Sequence, residues 1–427
     1  MRRPTVPARL VAVAGSWPLP TRRGTLAIVA GLVVAVVGYV LAAMPLVFAG
    51  VVLLALVVAS VVSVAVSAPR VVVTRHFTPD RAVAGWSVVE TITLTAPSAS
   101  GSVAVRVRET VPWRIMAPFE AVAMVIEPGG LARVVFEHVD LPRGRHRVGP
   151  TLVDVIETFG LARRRLAVPG RDELLVFPEV VGVGGGRESR SLGEGARQRR
   201  DHSLAGGQDD PITREYRRGD PMRRVHWRAT ARQGELMVRQ EEQHGLPSVR
   251  VILPVGRLHW RDWHPALGSG VPVSDGFEWA VSLTASIAVE FGLAGSQTRV
   301  VSLDGATIAL HDPSTTPMFL ELLSDVVLDD EIDEPSPEAA PREPVVAVVS
   351  SLTAAELDRL GHARGPGVAG VAIVVHLDAD LLTPDDRERD SPRDVAKALA
   401  ESGWRVIETA SNADREPILQ TPGVLRG

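Results

Sequence analysis

The residues that follow the predicted central strand include two histidines and an aspartate at a spacing suited to metal binding. They are His259, Asp262 and His264. Zinc accepts imidazole nitrogens and carboxylate oxygens as ligands, and a bound zinc ion can activate water for hydrolysis. Trp260 and Trp263 lie among them, so the same stretch also fits an ordinary polar loop. The sequence leaves two readings open, a metal-dependent hydrolase that uses these three side chains and a structural loop.

A second group of side chains with chemical potential is the arginine-rich segment of residues 214–239. Its arginines either pair with nearby carboxylates inside the fold or form an exposed surface for an acidic partner. We expect both roles. The arginines expected to pair internally are Arg214, Arg223 and Arg232, and those expected to be exposed are Arg217, Arg218 and Arg228. No aromatic residues alternate with them as in single-strand binders, so nucleic acid is not an expected partner.

Helix signals within this segment predict how it is held. Asp220 followed by Pro221 is typical of a helix start, and Gly234 is typical of a helix end. We expect Tyr216 and Trp227 to pack this helix against a sheet. Truncating a buried tryptophan costs about 3–5 kcal/mol, which is therefore the expected loss of stability for Trp227→Ala.

The spacing within this segment also carries a family resemblance. It reads Arg214-x-Tyr216-x-x-Gly219-Asp220-x-x-Arg223-x-x-x-Trp227-x-x-x-Ala231-Arg232. This pattern resembles the signature of the domain of unknown function 58 family, bacterial proteins often encoded beside MoxR-type AAA+ ATPases. The resemblance implies a von Willebrand A-like domain after the motif and a MoxR-type AAA+ ATPase as partner.

The same resemblance raises the question of a metal. Von Willebrand A-like folds can bind one through Asp-x-Ser-x-Ser at the end of the first strand. Residues 253–256 read Leu-Pro-Val-Gly here and offer neither carboxylate nor hydroxyl. Because hard cations need oxygen ligands, we expect no metal-dependent adhesion site.

An N-terminal block without charge predicts a membrane anchor in residues 1–69. No charged residue occurs between Gly24 and Pro69, and we predict spans at about residues 25–41 and 47–67 with a turn near Pro45 and Gly50. Arginines precede the first span and follow the second. The positive-inside rule then predicts a multi-pass protein of the bacterial cytoplasmic membrane with both termini in the cytoplasm. A cleaved signal peptide is the alternative.

Periodicity divides the remaining chain into three parts. Residues 70–180 alternate apolar and polar side chains between turn signals, which predicts an antiparallel β-sandwich. Residues 181–208 are rich in Gly and Arg and predict a flexible linker. Residues 209–427 combine the motif helix with alternating strands and helices. The predicted fold class is a membrane-anchored combination of all-β and α/β domains, the latter von Willebrand A-like.

Composition and missing motifs favour a binding protein over an enzyme. The 427 residues include no cysteine and have a formal net charge of −4. Disulfides and cysteine nucleophiles are therefore excluded, and general affinity for nucleic acid is not favoured. Nucleophile-elbow, Walker and His-Glu-x-x-His sequences are absent. We expect a membrane-anchored adaptor without enzymatic activity or cofactor, whose partners are the lipid bilayer and the ATPase.

Overall fold

The computed structural model describes residues 14–15, 17–67, 71–96, 101–113, 120–168, 170–182, 213–216, 227–239, 247–266, 271–329, 343–364, 368–377, 391–421 and 424. The chain divides into two compact units. The first comprises Met1–Glu179 with His264–Val273 and Ser324–Val327, and the second comprises Val180–Trp263, Ser274–Leu323 and Leu328–Gly427. Of the predicted linker, only residues 181 and 182 are described. Val181 donates its backbone N–H to Ser286 Oγ at 3.0 Å within the second unit.

Two N-terminal helices are long and apolar enough to cross a membrane. Helix α1 is Arg22–Val40 and α2 is Met44–Ser67, with mean hydropathies of 1.9 and 2.8 over their most apolar windows. The predicted apolar helices are confirmed, but the turn between them is misplaced. Pro45 stands in the first turn of α2, where a missing N–H costs nothing. Gly50 lies inside α2, and a side chain there would come within 2.6 Å of the α1 backbone at Ala35 and Gly31.

Short β-strands build most of the first unit. They are β1 Ala14–Gly15, β2 Leu19–Pro20, β3 Val72–Thr78, β4 Ala82–Val83, β5 Val88–Thr95, β6 Val103–Arg108, β7 Val122–Ile126, β8 Leu131–His138, β9 Gly144–Val148, β10 Thr151–Ile156, β11 Ala162–Val168 and β12 Asp172–Phe177. One sheet has the order β1-β11-β10-β6-β7, with β2 also on β11, and the others are β3-β5-β8 and β4-β12-β9. Strands β1 and β2 precede the apolar helices in sequence. The sheet that contains β11 therefore includes residues that were predicted to form only an N-terminal tail.

Alternating burial on these strands produces a shared core. In β5 and β8 every second residue is buried, as the sequence pattern predicts. Side chains from two of the sheets meet in one cluster, which includes Ile92, Val105, Phe136 and Val153. The pairing is antiparallel except between β4 and β12, which run parallel.

Beside this core the first unit buries an ionic cluster centred on Arg75, whose side chain is 4% exposed. Its Nε lies 2.8 Å from Glu90 Oε1 as an ion pair without hydrogen-bond geometry, and Nη2 lies 3.3 Å from Glu109 Oε1. A third carboxylate, that of the half-exposed Asp172, also pairs with the guanidinium. The side chains of Glu90 and Glu109 are fully buried. One buried cation therefore serves two buried carboxylates.

The second unit is built around a mixed sheet. The remaining strands are β13 Thr213–Glu215, β14 Met237–Arg239, β15 Ser248–Ile252, β16 His264–Pro265, β17 Pro272–Val273, β18 Gln297–Val301, β19 Thr307–His311, β20 Val345–Val349, β21 Gly370–His376 and β22 Arg405–Ala410. Strands β16 and β17 form a hairpin that belongs to the first unit. The six-stranded sheet has the order β19-β18-β15-β20-β21-β22 and is parallel except for β19.

The described part of the chain contains six further α-helices. They are α3 Trp227–Gln233, α4 Asp275–Leu293, α5 Thr316–Asp325, α6 Ala354–Ala363, α7 Pro392–Glu401 and α8 Glu416–Gln420. Leu360 of α6 and Leu399 of α7 share a core with the inner residues of β15, β20 and β21, while α4 is buried along most of its length. The predicted alternation of strands and helices is confirmed in β15, α4, β18, β20, α6, β21, α7 and β22. The sequence reading missed β19 and α5.

Candidate functional site

The family-motif segment folds locally around a short helix and a two-stranded antiparallel sheet. Strand β13 pairs antiparallel with β14, and the Tyr216 N–H donates to the Leu236 carbonyl at 2.8 Å. Helix α3 ends at Gly234, whose φ of +78° suits glycine and whose N–H bonds to the Thr230 carbonyl at 2.9 Å. Thr230 Oγ1 accepts the N–H of buried Met237 at 3.0 Å. The predicted helix end at Gly234 is therefore confirmed.

The side chains of α3 are more exposed than the sequence suggested. Trp227 is 65% exposed, so the prediction that it packs the helix onto a core is wrong. Arg232 is also exposed, which contradicts its predicted internal pairing, and Ala231 is exposed beside it. Tyr216 is half-buried. Within the described residues, α3 contacts β14 through the hydrogen bond from the Met237 N–H to Thr230 Oγ1, whereas the indole is mostly exposed.

The other motif residues fall outside this description. Arg217, Arg218, Gly219, Asp220 and Arg223 lie among residues that the structure does not describe, so the predicted helix start at Asp220 and the division of these arginines stay predictions. For Arg214 and Arg228 the structure describes the strand and the helix that contain them but not their side chains.

Exposure of the Trp227 indole changes the expected result of its substitution. Because surface substitutions away from caps and cores stay within about 0.5 kcal/mol, we expect Trp227→Ala to leave the free energy of unfolding unchanged within that margin. Thermal unfolding of the full-length protein in detergent, followed by circular dichroism, checks this. A large drop in the midpoint would show that the indole is packed.

The three candidate metal ligands have other partners. His259 lies in a short 3-10 helix, where its Nε2 is 3.1 Å from Glu356 Oε1 and its Nδ1 is 3.0 Å from the Gly256 carbonyl. Asp262 is buried and accepts hydrogen bonds from Ser274 Oγ at 2.5 Å and from the Gly276 N–H at 2.8 Å. His264 is exposed in the β16–β17 hairpin. Among the described residues, no three His, Asp or Glu side chains are grouped to hold a metal.

Asp262 instead organises the start of α4. Ser274 is the N-cap of this helix and accepts the Phe277 N–H, while its hydroxyl donates to Asp262. A carboxylate at a helix N-terminus satisfies free N–H groups and interacts favourably with the helix dipole. Fully buried Trp260 lies against Phe277, with ring centroids 5.7 Å apart, and holds the loop in place. The sequence indicated either a metal ligand or part of a polar loop for Asp262, and its role at the N-terminus of α4 was missed because Ser274 lies 12 residues further along the chain.

The sheet places polar groups at the point where the strand order reverses, between β15 and β20. In open α/β sheets this point is a frequent location of ligand sites. Ser350 and Ser351 follow β20 and are fully buried, and the Ser351 N–H donates to the His259 carbonyl at 3.1 Å. Neither hydroxyl has a hydrogen-bond partner within the described part of the chain. The loop after β15 thus covers this point.

Two apolar helices, a β-rich unit and an α/β unit with an exposed arginine–tryptophan helix define a mixed α/β protein with two helices suited to a membrane. Residues 212–386 match the family described as "Protein of unknown function DUF58". The DUF58 match includes the motif of residues 214–232, from which the resemblance was predicted. No curated protein matches the chain significantly.

Solved structures resemble about a quarter of the chain. A CARDB domain in complex with di-metal ions from Pyrococcus furiosus is 14% identical, covers 25% of this chain and 88% of that chain, and has a TM-score of 0.20. Spo0M, a sporulation control protein from Bacillus subtilis, is 15% identical, covers 25% and 49%, and has a TM-score of 0.17. The PmoD soluble domain from Methylocystis sp. is 11% identical, covers 25% and 90%, and has a TM-score of 0.15. At these TM-scores the likeness supports no conclusion about function.

Proposed function

We propose that this protein is a membrane-anchored adaptor that binds a MoxR-type AAA+ ATPase through the surface of α3. In this proposal α1 and α2 span the bacterial cytoplasmic membrane, residues 70–180 form a β-sandwich, and the α/β unit is von Willebrand A-like. The strand order of the six-stranded sheet, with its single antiparallel edge strand, supports the last assignment. The partner follows from the DUF58 match together with the family's association with such ATPases.

The exposed Trp227 carries the proposal. The Trp227 side chain is 65% exposed, and tryptophan and arginine are among the residue types most enriched in the energetic centres of interfaces. Residues 227–239 contain three arginines and one glutamate, so the segment is cationic. Arg232 follows Trp227 by five residues, about 140° further around the helix axis, and is exposed with no ion-pair partner among the described residues. Such a surface suits a partner that offers an apolar recess beside carboxylates.

A pulldown from native membranes tests the partnership without assuming its identity. The full-length protein would be captured with and without Trp227→Ala, and the co-purified proteins would be identified by mass spectrometry. We expect a MoxR-type ATPase with the unsubstituted protein and strongly reduced recovery with the variant. Equal recovery of the ATPase with both proteins would place the contact elsewhere.

The membrane topology gives a separate expectation. Arg22 and Arg23 lie at the start of α1 and Arg70 follows α2, while the connecting turn of residues 41–43 has no charge. The positive-inside rule therefore places both ends of the hairpin in the cytoplasm. A reporter protein that functions only in the cytoplasm should therefore be active when it is fused after Gly427. A reporter that functions only outside the cytoplasm should be inactive at the same position. Digestion of the C-terminal unit by protease added to spheroplasts would contradict this topology.

The hydrolase alternative gains no support from the geometry. His259 and Asp262 make the structural contacts given above, and His264 is exposed. Metal analysis of the purified full-length protein at neutral pH is the direct check on this reading. Stoichiometric zinc that is lost in a His259→Ala variant would reinstate it.

A further inference from the structure

Strand β22 forms one outer edge of the six-stranded sheet. It pairs with β21 on one side, and no strand among the described residues pairs with its other side. The Ser411 N–H donates to the His376 carbonyl on the β21 side at 2.9 Å. Backbone groups alternate in direction along a strand, so those of Val406 and Glu408 point away from β21. Within the described residues, the two N–H and two C=O groups of Val406 and Glu408 thus form a row without a strand partner.

A groove runs beside this edge, between β22 and α7. It has a volume of about 440 Å³ and is lined by Arg393, Ala396, Lys397, Ala400, Val406 and Glu408. Two alanines on α7 leave this space open, because they do not reach across to the strand. Side chains on one face of an added strand would enter the groove, since Val406 and Glu408 already point into it.

The groove has a cationic character. Arg393 and Lys397 are exposed on α7, and neither has a hydrogen-bond or ion-pair partner within the described residues. The one carboxylate in the lining, that of Glu408, already contacts His376 Nε2 at 2.8 Å. Arg405 is exposed at the start of the strand, on the opposite face from the groove because side chains alternate. Within the described residues, the groove lining therefore carries two positive charges and one negative charge, a net positive balance.

We propose that β22 and α7 form a docking site for an extended acidic segment of a partner protein. The segment adds to the sheet as a strand on β22, and its alternate carboxylates lie beside Arg393 and Lys397. Backbone hydrogen bonds supply the affinity of such strand addition, and the side-chain groove supplies the preference for acidic residues. This proposal does not depend on the ATPase contact at α3, which involves different residues.

Fluorescence anisotropy with the full-length protein in nanodiscs tests it. The probe is a labelled peptide of alternating valine and glutamate, and its valine–lysine counterpart is the control peptide. We expect the acidic peptide to bind with marked salt dependence and the basic peptide to bind at least about tenfold more weakly. The double variant Arg393→Gln, Lys397→Gln should weaken the acidic peptide by about tenfold. Arg405→Gln, on the other face, should change affinity less than about twofold.

A proline at position 408 tests the contribution of backbone hydrogen bonds to peptide binding separately from that of charge. Proline is tolerated on edge strands where its missing N–H faces outward, so Glu408→Pro should stay folded yet lose at least about tenfold in affinity. Glu408→Ala keeps the N–H and removes a repelling carboxylate, so it should bind the acidic peptide at least as tightly as the unsubstituted protein. Amide hydrogen exchange at Val406 and Glu408 should slow when the peptide is added, which gives a readout in the unsubstituted protein.

Several results would overturn the proposal. They are equal binding of the acidic and basic peptides, no binding of either peptide, full affinity of a folded Glu408→Pro variant, and unchanged amide exchange at β22. If Glu408→Pro does not fold, the proposal is tested by the amide exchange of the unsubstituted protein and by the peptide affinity of the Arg393→Gln, Lys397→Gln variant. Self-association of the protein that disappears in Glu408→Pro would identify a second copy of this chain as the occupant and would also overturn it.

Discussion

Replacing Arg75 by methionine is expected to destabilise the first unit by about 3–5 kcal/mol. The substitution keeps much of the side-chain volume but leaves Glu90 and Glu109 buried without the cation that lies 2.8 Å and 3.3 Å from them. An abandoned buried charge costs more than the ion pair contributes, because its desolvation is no longer offset. Thermal unfolding of the full-length protein in detergent should show a midpoint lowered by about 10 °C or more.

A matched arginine provides the control. Arg165 pairs with Asp154 at 2.7 Å, and its own side chain is 41% exposed. Arg163 Nη1 lies 3.4 Å from the same carboxylate, so Asp154 keeps a cationic partner and Arg165→Met should shift the midpoint little. Equal shifts for the two variants would show that the cluster around Arg75 is hydrated and contributes no more than a surface pair.

The same cluster gives a pH dependence with a definite sign. Burial raises the pKa of Glu109 above its ordinary value of 4.5; the Arg75 charge lowers this pKa and the Glu90 charge raises it. The folded protein therefore holds this proton more tightly than the unfolded chain does. The resulting stability is fully present below pH 4.5 and is lost as the pH rises through the folded-state pKa. Without the Arg75 cation the pKa rises further, so the loss extends to higher pH.

The Glu109→Gln variant isolates the contribution of the Glu109 carboxyl group to the pH dependence of stability. The amide is neutral at every pH and can still accept the bond from Thr151 Oγ1, which is 2.7 Å from Glu109 Oε2. We expect this variant to lose the Glu109 part of the pH dependence and to be much less destabilised than Arg75→Met at neutral pH. Combined with Arg75→Met it should restore part of the lost stability, because one stranded charge is removed. A double variant no more stable than Arg75→Met alone would contradict this assignment.

Trp260→Ala is the second substitution with a large expected effect, a loss of about 3–5 kcal/mol from the second unit. The indole is fully buried, and its Nε1 donates to the Pro254 carbonyl at 2.9 Å. Truncation leaves a cavity beside Phe277 and removes the partner of a buried carbonyl. It also loosens the loop that brings Asp262 to the N-terminus of α4. Thermal unfolding measures the loss, with Trp227→Ala as the matched tryptophan control.

The pair of tryptophans also distinguishes stability from recruitment. Trp260→Ala should lower the unfolding midpoint, and any loss of partner binding should follow unfolding. Trp227→Ala should leave the unfolding midpoint unchanged and should reduce binding of the ATPase. If Trp260→Ala proves as mild as Trp227→Ala, the indole of Trp260 is not the packing element described above.

Periodicity in the sequence predicts the elements whose burial is periodic. The two apolar helices, the buried strands β15, β20 and β21, and helix α6 with its Thr353 cap all follow from local pattern. The edge strand β19 was missed because its neighbours in sequence give no strong alternation, and its place depends on pairing with β18. The turn of the hairpin was misplaced because Gly50 marks a close helix–helix approach rather than a break.

The candidate site was less predictable for a related reason. Side-chain type indicates what Trp227, Asp262 and His259 can do, whereas their partners are set by contacts distant in sequence. Asp262 meets Ser274, and His259 meets Glu356, 97 residues away, so the local sequence could not reveal either contact. Trp227 was expected inside because tryptophan is usually buried, but its side chain is 65% exposed.

Direct binding of a MoxR-type ATPase from the same organism to the full-length protein in nanodiscs tests the central claim most sharply. Biolayer interferometry would compare the unsubstituted protein, Trp227→Ala, Arg232→Gln and, as a control of similar exposure, Phe159→Ala, whose side chain is 63% exposed. The adaptor account predicts saturable binding, at least about tenfold weaker for Trp227→Ala, weakened in a salt-dependent way for Arg232→Gln, and unchanged for Phe159→Ala. Absence of binding by the unsubstituted protein, or equal affinity of Trp227→Ala, would contradict it.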